Sequence, residues 1–101
     1  MLNNVETSLS STSTVEIPQH VVFRTFAAET IMLNLKTGTY HGLNPTAGTM
    51  LETLQRHGVI ADAAAVITAH FCADAEAVQS DLLALCSGLM KRGLLVVKAD
   101  A

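Results

Sequence analysis

The chain has 101 residues, half of them hydrophobic and 15% charged, with a formal net charge of -3. A chain of that size can bury a working core without disulfides or metals, and that composition excludes a disordered one. The basic residues Arg24, Lys36, Arg56, Lys91, Arg92 and Lys98 are scattered, which argues against the basic face of a nucleic-acid binder.

Residues 1–16 are rich in Ser, Thr and Asn without an apolar period, so they are expected to form a disordered tail ahead of a single domain over residues 17–98. The N-terminus lacks the basic and apolar regions of a secretory signal. No stretch approaches the roughly 18 consecutive apolar residues of a membrane span. A cytoplasmic protein with no membrane contact is the expectation. Val21–Phe26 is β-branched and aromatic, the composition of a first strand, and Ala27-Ala28-Glu29 turns the chain back.

The stretch Thr30–Asn44 (TIMLNLKTGTYHGLN) is the most informative. Ile31, Leu33 and Leu35 alternate with Met32 and Asn34, the period of a strand with one buried face. Lys36-Thr37-Gly38 reads as a turn, since Gly38 can adopt the left-handed conformation that closes a three-residue loop. Thr39-Tyr40-His41-Gly42-Leu43 is the return strand, completing a three-stranded antiparallel sheet. Asn44 then caps a helix whose first position is Pro45.

That first helix, Thr46–Arg56, buries Ala47, Met50, Leu51 and Leu54 and ends at Gly58. A second, Ala61–Phe71, turns Ile60, Ala64, Ile67 and Phe71 inward. The third runs from Ala75 to Arg92, capped by Asp74 and ended by Gly93. Leu94–Val97 reads as a short β-segment, and residues 99–101 as a fraying tail. The expected fold is α+β, a winged helix-turn-helix in which the sheet precedes three helices and a C-terminal β-segment.

The third helix carries more apolar surface than docking requires. Val78, Leu82, Leu85 and Leu89 make one stripe at about 100° per residue, and Leu83, Cys86 and Met90, with Gln79 at the polar end, make another. Either the sheet covers this second stripe, or it forms one wall of an open groove opposite the Tyr40–Leu43 strand. In the second case an incoming extended peptide pairs with the strand's free backbone groups and drops alternate side chains into apolar pockets. Cys72 and Cys86 read as small hydrophobes in a reducing compartment. With His57 and His70 they match no metal spacing, so no metal and no cofactor are expected. Nor is there a nucleophile elbow, a phosphate-binding glycine loop or a His-Glu metal signature. The chain is not expected to be an enzyme; His41, beside the strand, is the one histidine worth testing.

The order Leu-Asn-Leu, Thr-Gly, Tyr, Gly-Leu-Asn, followed by Asp81-Leu82 and Arg92-Gly93-Leu94-Leu95, resembles the PqqD-like family of peptide-recognition domains in ribosomal natural-product (RiPP) biosynthesis over Val21–Val97. The resemblance implies that a precursor's leader peptide binds as an added strand along Thr39, Tyr40, His41, Gly42 and Leu43, facing helix positions Gln79, Leu83, Cys86 and Met90. Asp81 falls at the family's acidic position, where it would orient a leader group or nearby backbone. Ala47 and Leu51 stand where the family often has Gly and Trp. The implied protein is a monomer that presents the leader to a leader peptidase or another maturation enzyme. The Ser/Thr-rich tail and the departures in the first helix lean towards lasso-peptide biosynthesis, with a peptide chaperone of pyrroloquinoline quinone biosynthesis as the alternative. From other classes, a winged-helix DNA-binding regulator and a structural subunit using the second stripe as an oligomer interface remain open.

Overall fold

Two hairpins and three capped helices set the architecture of the computed structural model, which describes residues 9–27 and 29–98. In chain order these are β1 (Val15–Glu16), β2 (Val21–Phe26), β3 (Glu29–Asn34), β4 (Tyr40–Leu43), α1 (Pro45–His57), α2 (Ile60–Phe71), α3 (Ala75–Lys91) and β5 (Val96–Val97). β2, β3 and β4 form an antiparallel sheet in that order, and β1 pairs with β5 in a separate two-stranded ribbon. This is the α+β winged arrangement expected from the sequence.

The β3–β4 turn closes on Asn34, whose Oδ1 accepts from the backbone N–H groups of Lys36 at 2.9 Å and Thr37 at 3.3 Å. Gly38, at φ 78°, donates its N–H to the Asn34 carbonyl at 2.8 Å. That role explains why Asn34 is buried. The inner face of β3 is therefore Thr30, Met32 and Asn34, all buried, while Ile31 and Leu33 are half-exposed and Leu35 is exposed. Alternation identified the residues that share a face, but the apolar set faces outwards.

α1 lies across the inner face. Asn44 Oδ1 accepts from the Ala47 N–H at 2.8 Å, and Gly58, at φ 80°, returns its N–H to Leu54 O at 2.7 Å. Gly48 lets the helix approach β3, because a Cβ there would overlap the Thr30 side chain. Met50, Leu51 and Leu54 then fill the core with Met32, Ile60, Ile67, Leu82 and Leu94. On α2, Ile60, Ala63, Ala64 and Ile67 are buried, whereas Phe71, expected to turn inward, is exposed in the last turn.

The expected tail is the largest departure. Met1–Ser8 and residues 99–101 lie outside the described residues, but Ser10–Glu16 is built into the fold. α2 follows Val59, which offers no capping side chain, so its first N–H groups need other acceptors. The Ser13 carbonyl accepts from Ile60 at 3.1 Å and the Ser11 carbonyl from Ala61 at 2.7 Å. Val15 is buried in the core, donates to Gly58 O at 2.9 Å, and faces Val97 across the β1–β5 ribbon. The ordered domain thus begins before Ile17. Among the described residues no helix is long and apolar enough to cross a membrane.

Candidate functional site

Among the described residues, the strand β4 has β3 on one side and no strand on the other. Its register is Thr30 opposite Leu43, Ile31 opposite Gly42, Met32 opposite His41 and Leu33 opposite Tyr40. Just beyond the strand, Asn34 donates to Thr39 O at 2.9 Å, so Asn34–Thr39 is a hydrogen-bonded pair. Bonded and non-bonded pairs alternate along an antiparallel ladder. The backbones of Thr39, His41 and Leu43 therefore turn towards β3. Those of Tyr40 and Gly42 turn away, each presenting an N–H and a C=O at the free edge.

Side chains follow the same alternation. Leu43 is buried and His41 half-buried on the inner face, whereas Tyr40 is 71% exposed on the outer face and Gly42 adds nothing. Thr39 lies in the turn, its hydroxyl 2.7 Å from that of Thr37. Residues Thr14–Glu16 lie elsewhere, since β1 pairs with β5 and Thr14 bridges to Val59.

On α3 the buried stripe is Val78, Leu82, Cys86 and Leu89, which corrects the expected division of the helix. Cys86 is fully buried and so belongs to the core, and Leu85 is only half-buried. Burial pushes the Cys86 thiol up from 9.0 to about 11. The change of centre by one residue leaves Gln79, Leu83 and Met90 together on one flank, all half-buried. Asp81 is exposed, and two residues from Leu83 it projects about 160° away around the helix. Asp81 and Leu83 therefore do not line the same wall. A hollow of about 320 Å³ beside Gln79 and Leu83 is walled by α3 alone, and another of about 360 Å³ lies between Gln79 and the α2 residues Ala61, Ala64 and Thr68. Neither of these two hollows includes a β4 residue.

The remaining histidines are dispersed. His57 sits in the last turn of α1, and His70 contacts Phe71 edge-on with ring centroids 4.8 Å apart. Among the described residues, no three His, Cys, Asp or Glu side chains are grouped to hold a metal, and no buried side-chain nitrogen or oxygen lacks a hydrogen-bond partner. Sequence reasoning missed the Ser11 and Ser13 carbonyls that cap α2; the one available signal was a helix start without a capping side chain.

A free strand edge on a winged helix-turn-helix scaffold defines a small recognition domain that can accept an extended peptide backbone. Comparison with known proteins gives it a family. The chain belongs to the PqqD family, matching over residues 29–95 the family described as Coenzyme PQQ synthesis protein D (PqqD). Among solved structures it is similar to TbiB1 in complex with the TbiA(beta) leader peptide, at 28% identity and a TM-score of 0.76, covering 84% of this chain and 99% of that one. It also shares the fold of a lasso peptide synthetase B1 complexed with the leader peptide, at 20% identity and a TM-score of 0.74, covering 82% and 98%. No curated protein matches the chain.

Proposed function

We propose that this chain is a non-catalytic leader-binding protein of lasso-peptide biosynthesis. It takes up the leader of a precursor peptide as a fourth strand on β4 and presents it to the leader peptidase or another maturation enzyme. The observation that carries this reading is the free edge of β4, with the Tyr40 and Gly42 backbones directed outwards, in a chain 28% identical to a protein bound to a leader peptide. Backbone pairing supplies affinity that tolerates sequence, and neighbouring side chains supply selection. Gln79, Leu83 and Met90 form the helical wall in this reading, and His41 and Leu43 the floor. Asp81 lies on the other flank, outside that wall. The reading puts the protein in the cytoplasm, where ribosomal precursors are made.

A second reading has support in the family description itself, which refers to pyrroloquinoline quinone synthesis. It keeps the same edge and changes only the precursor and the receiving enzyme. DNA binding is disfavoured by a net charge of -3 and by Glu76 and Asp81 on α3.

Backbone amide shifts test the site. Titration with synthetic TbiA(beta) leader peptide is expected to move Tyr40–Leu43 most, with smaller changes at Leu83 and Met90. Perturbations that avoid β4 overturn the reading. So does tight binding of a mixed-sequence DNA duplex that weakens steeply with salt.

A further inference from the structure

We propose that the outer face of the β2–β3–β4 sheet is the contact surface of a reversible homodimer. Helix α1 covers the inner face, while the outer face carries Val22, Arg24 and Phe26 from β2, Glu29, Ile31 and Leu33 from β3, and Tyr40 and Gly42 from β4. Leu35 extends the face beyond β3. Val22 is 43%, Phe26 61%, Leu35 57% and Tyr40 71% exposed. With the half-exposed Ile31 and Leu33, these side chains offer on the order of 500 Å² of apolar surface, near the upper range of the largest patch on an ordinary monomer.

Area and charge both favour a second copy as the occupant. Interfaces are roughly 57–65% apolar, so such a patch corresponds to about 800 Å² per partner, the size of a standard specific contact. The charges are self-complementary. Ile31 stands directly opposite Arg24 on β2 and Gly42 on β4. Glu29 directs its carboxylate towards Gly42, where a Cβ would lie 3.7 Å from Oε2 and 3.8 Å from the Ile31 side chain. Arg24 and the Glu29 carboxylate therefore flank Ile31 on opposite sides.

A two-fold axis along β3 sets Arg24 over the second copy's carboxylate, and the reciprocal pair forms by symmetry. The same axis sets Tyr40 over Val22, a large side chain over a small one, and Leu33 over Leu33. Two stacked sheets commonly pack about 10 Å apart in an aligned arrangement. A net charge of -3 on each copy opposes this only weakly, because exposed charges are screened beyond about 8 Å at physiological salt. The dimer leaves the edges of β4 open, since its backbone groups point within the sheet plane. It replaces the monomer that the family resemblance implied, and it stands independently of what β4 binds.

Sedimentation velocity on the full chain from about 1 to 500 µM is the test. The expected result is a concentration-dependent shift from monomer to dimer. Val22→Lys and Leu35→Lys, both at exposed positions, weaken association at least about tenfold, and Val66→Lys on α2 leaves it unchanged. Arg24→Glu and Glu29→Arg each weaken it, and the double substitution restores it, which a folding defect could not mimic. A wild-type chain that stays monomeric throughout overturns the proposal and leaves the face to a different protein. Equal effects of Val22→Lys and Val66→Lys, or a double charge exchange no better than the singles, overturn it as well.

Discussion

Gly42→Pro and His41→Pro should have opposite effects, and the contrast tests the geometry of β4 directly. The Gly42 N–H points to the free edge, so a proline there removes a donor that the folded chain does not use. A Cβ at this position would lie 3.7 Å from the Glu29 carboxylate and 3.8 Å from the Ile31 side chain, ordinary contact distances. Proline is tolerated on an edge strand when the missing N–H faces outwards. The expected stability loss is therefore no more than about 1 kcal/mol, roughly 4–8 °C in Tm for a domain of this size. An added strand, by contrast, loses a backbone partner and leaves a carbonyl unpaired, costing about 1–3 kcal/mol, or roughly 5- to 150-fold in affinity. His41 is the mirror case. Its N–H turns towards β3 opposite buried Met32, so His41→Pro breaks the ladder and should cost about 3 kcal/mol or more of stability. Thermal unfolding gives the first quantity, and anisotropy of labelled TbiA(beta) leader peptide the second. Wild-type peptide affinity in Gly42→Pro, or equal destabilisation by both prolines, would refute the assignment of the outward groups.

Three further outcomes are expected. Leu83→Asp should keep the fold and weaken peptide binding at least about tenfold, whereas Leu82→Asp, at a fully buried position, should unfold the domain because a core carboxylate has no partner; circular dichroism and peptide titration separate the two. Cys86 retains its proton more tightly in the folded state, with its thiol at about 11 against 9.0 ordinarily. Its contribution is full below pH 9 and is lost as pH rises towards 11, by about 1–3 kcal/mol; chemical denaturation across that range should be less steep in pH for Cys86→Ala. A chain beginning at Ile17 should lose about 2–4 kcal/mol, since it gives up buried Val15 and the carbonyls that cap α2; a denaturation midpoint equal to that of the full chain would contradict the role of that segment.

The hairpin and helix punctuation was legible because single residues carry it. Gly38, Asn44, Gly58, Asp74 and Gly93 each perform a local task that needs no knowledge of the tertiary fold. The errors arose where the local pattern is symmetric. Alternation in β3 groups Ile31 with Leu33 but does not say which face meets α1, and the short polar side chains of Thr30 and Asn34 are buried to serve a close helix approach and a turn. On α3, apolar residues on both sides of Leu82 allow the stripe to be centred towards Leu85 or towards Cys86, and the fold selects Cys86. The two-residue strand β1 lies among serines and threonines with no period of its own; its order comes from α2 and β5. At the site, the strand could be located from sequence, but the direction of each amide required the register.

The β1–β5 ribbon has a consequence for how such a domain is connected. Because Val15 sits opposite Val97 and Lys98 donates to the Thr14 carbonyl, the first and last strands come together in one ribbon, separate from the β2–β3–β4 sheet. A unit wired in this way can hang from a larger polypeptide, or be inserted within one, without rerouting the chain through the receptor surface. The same fold can thus serve as a freely diffusing courier or as a fixed appendage, with its grip on cargo unaltered by the choice.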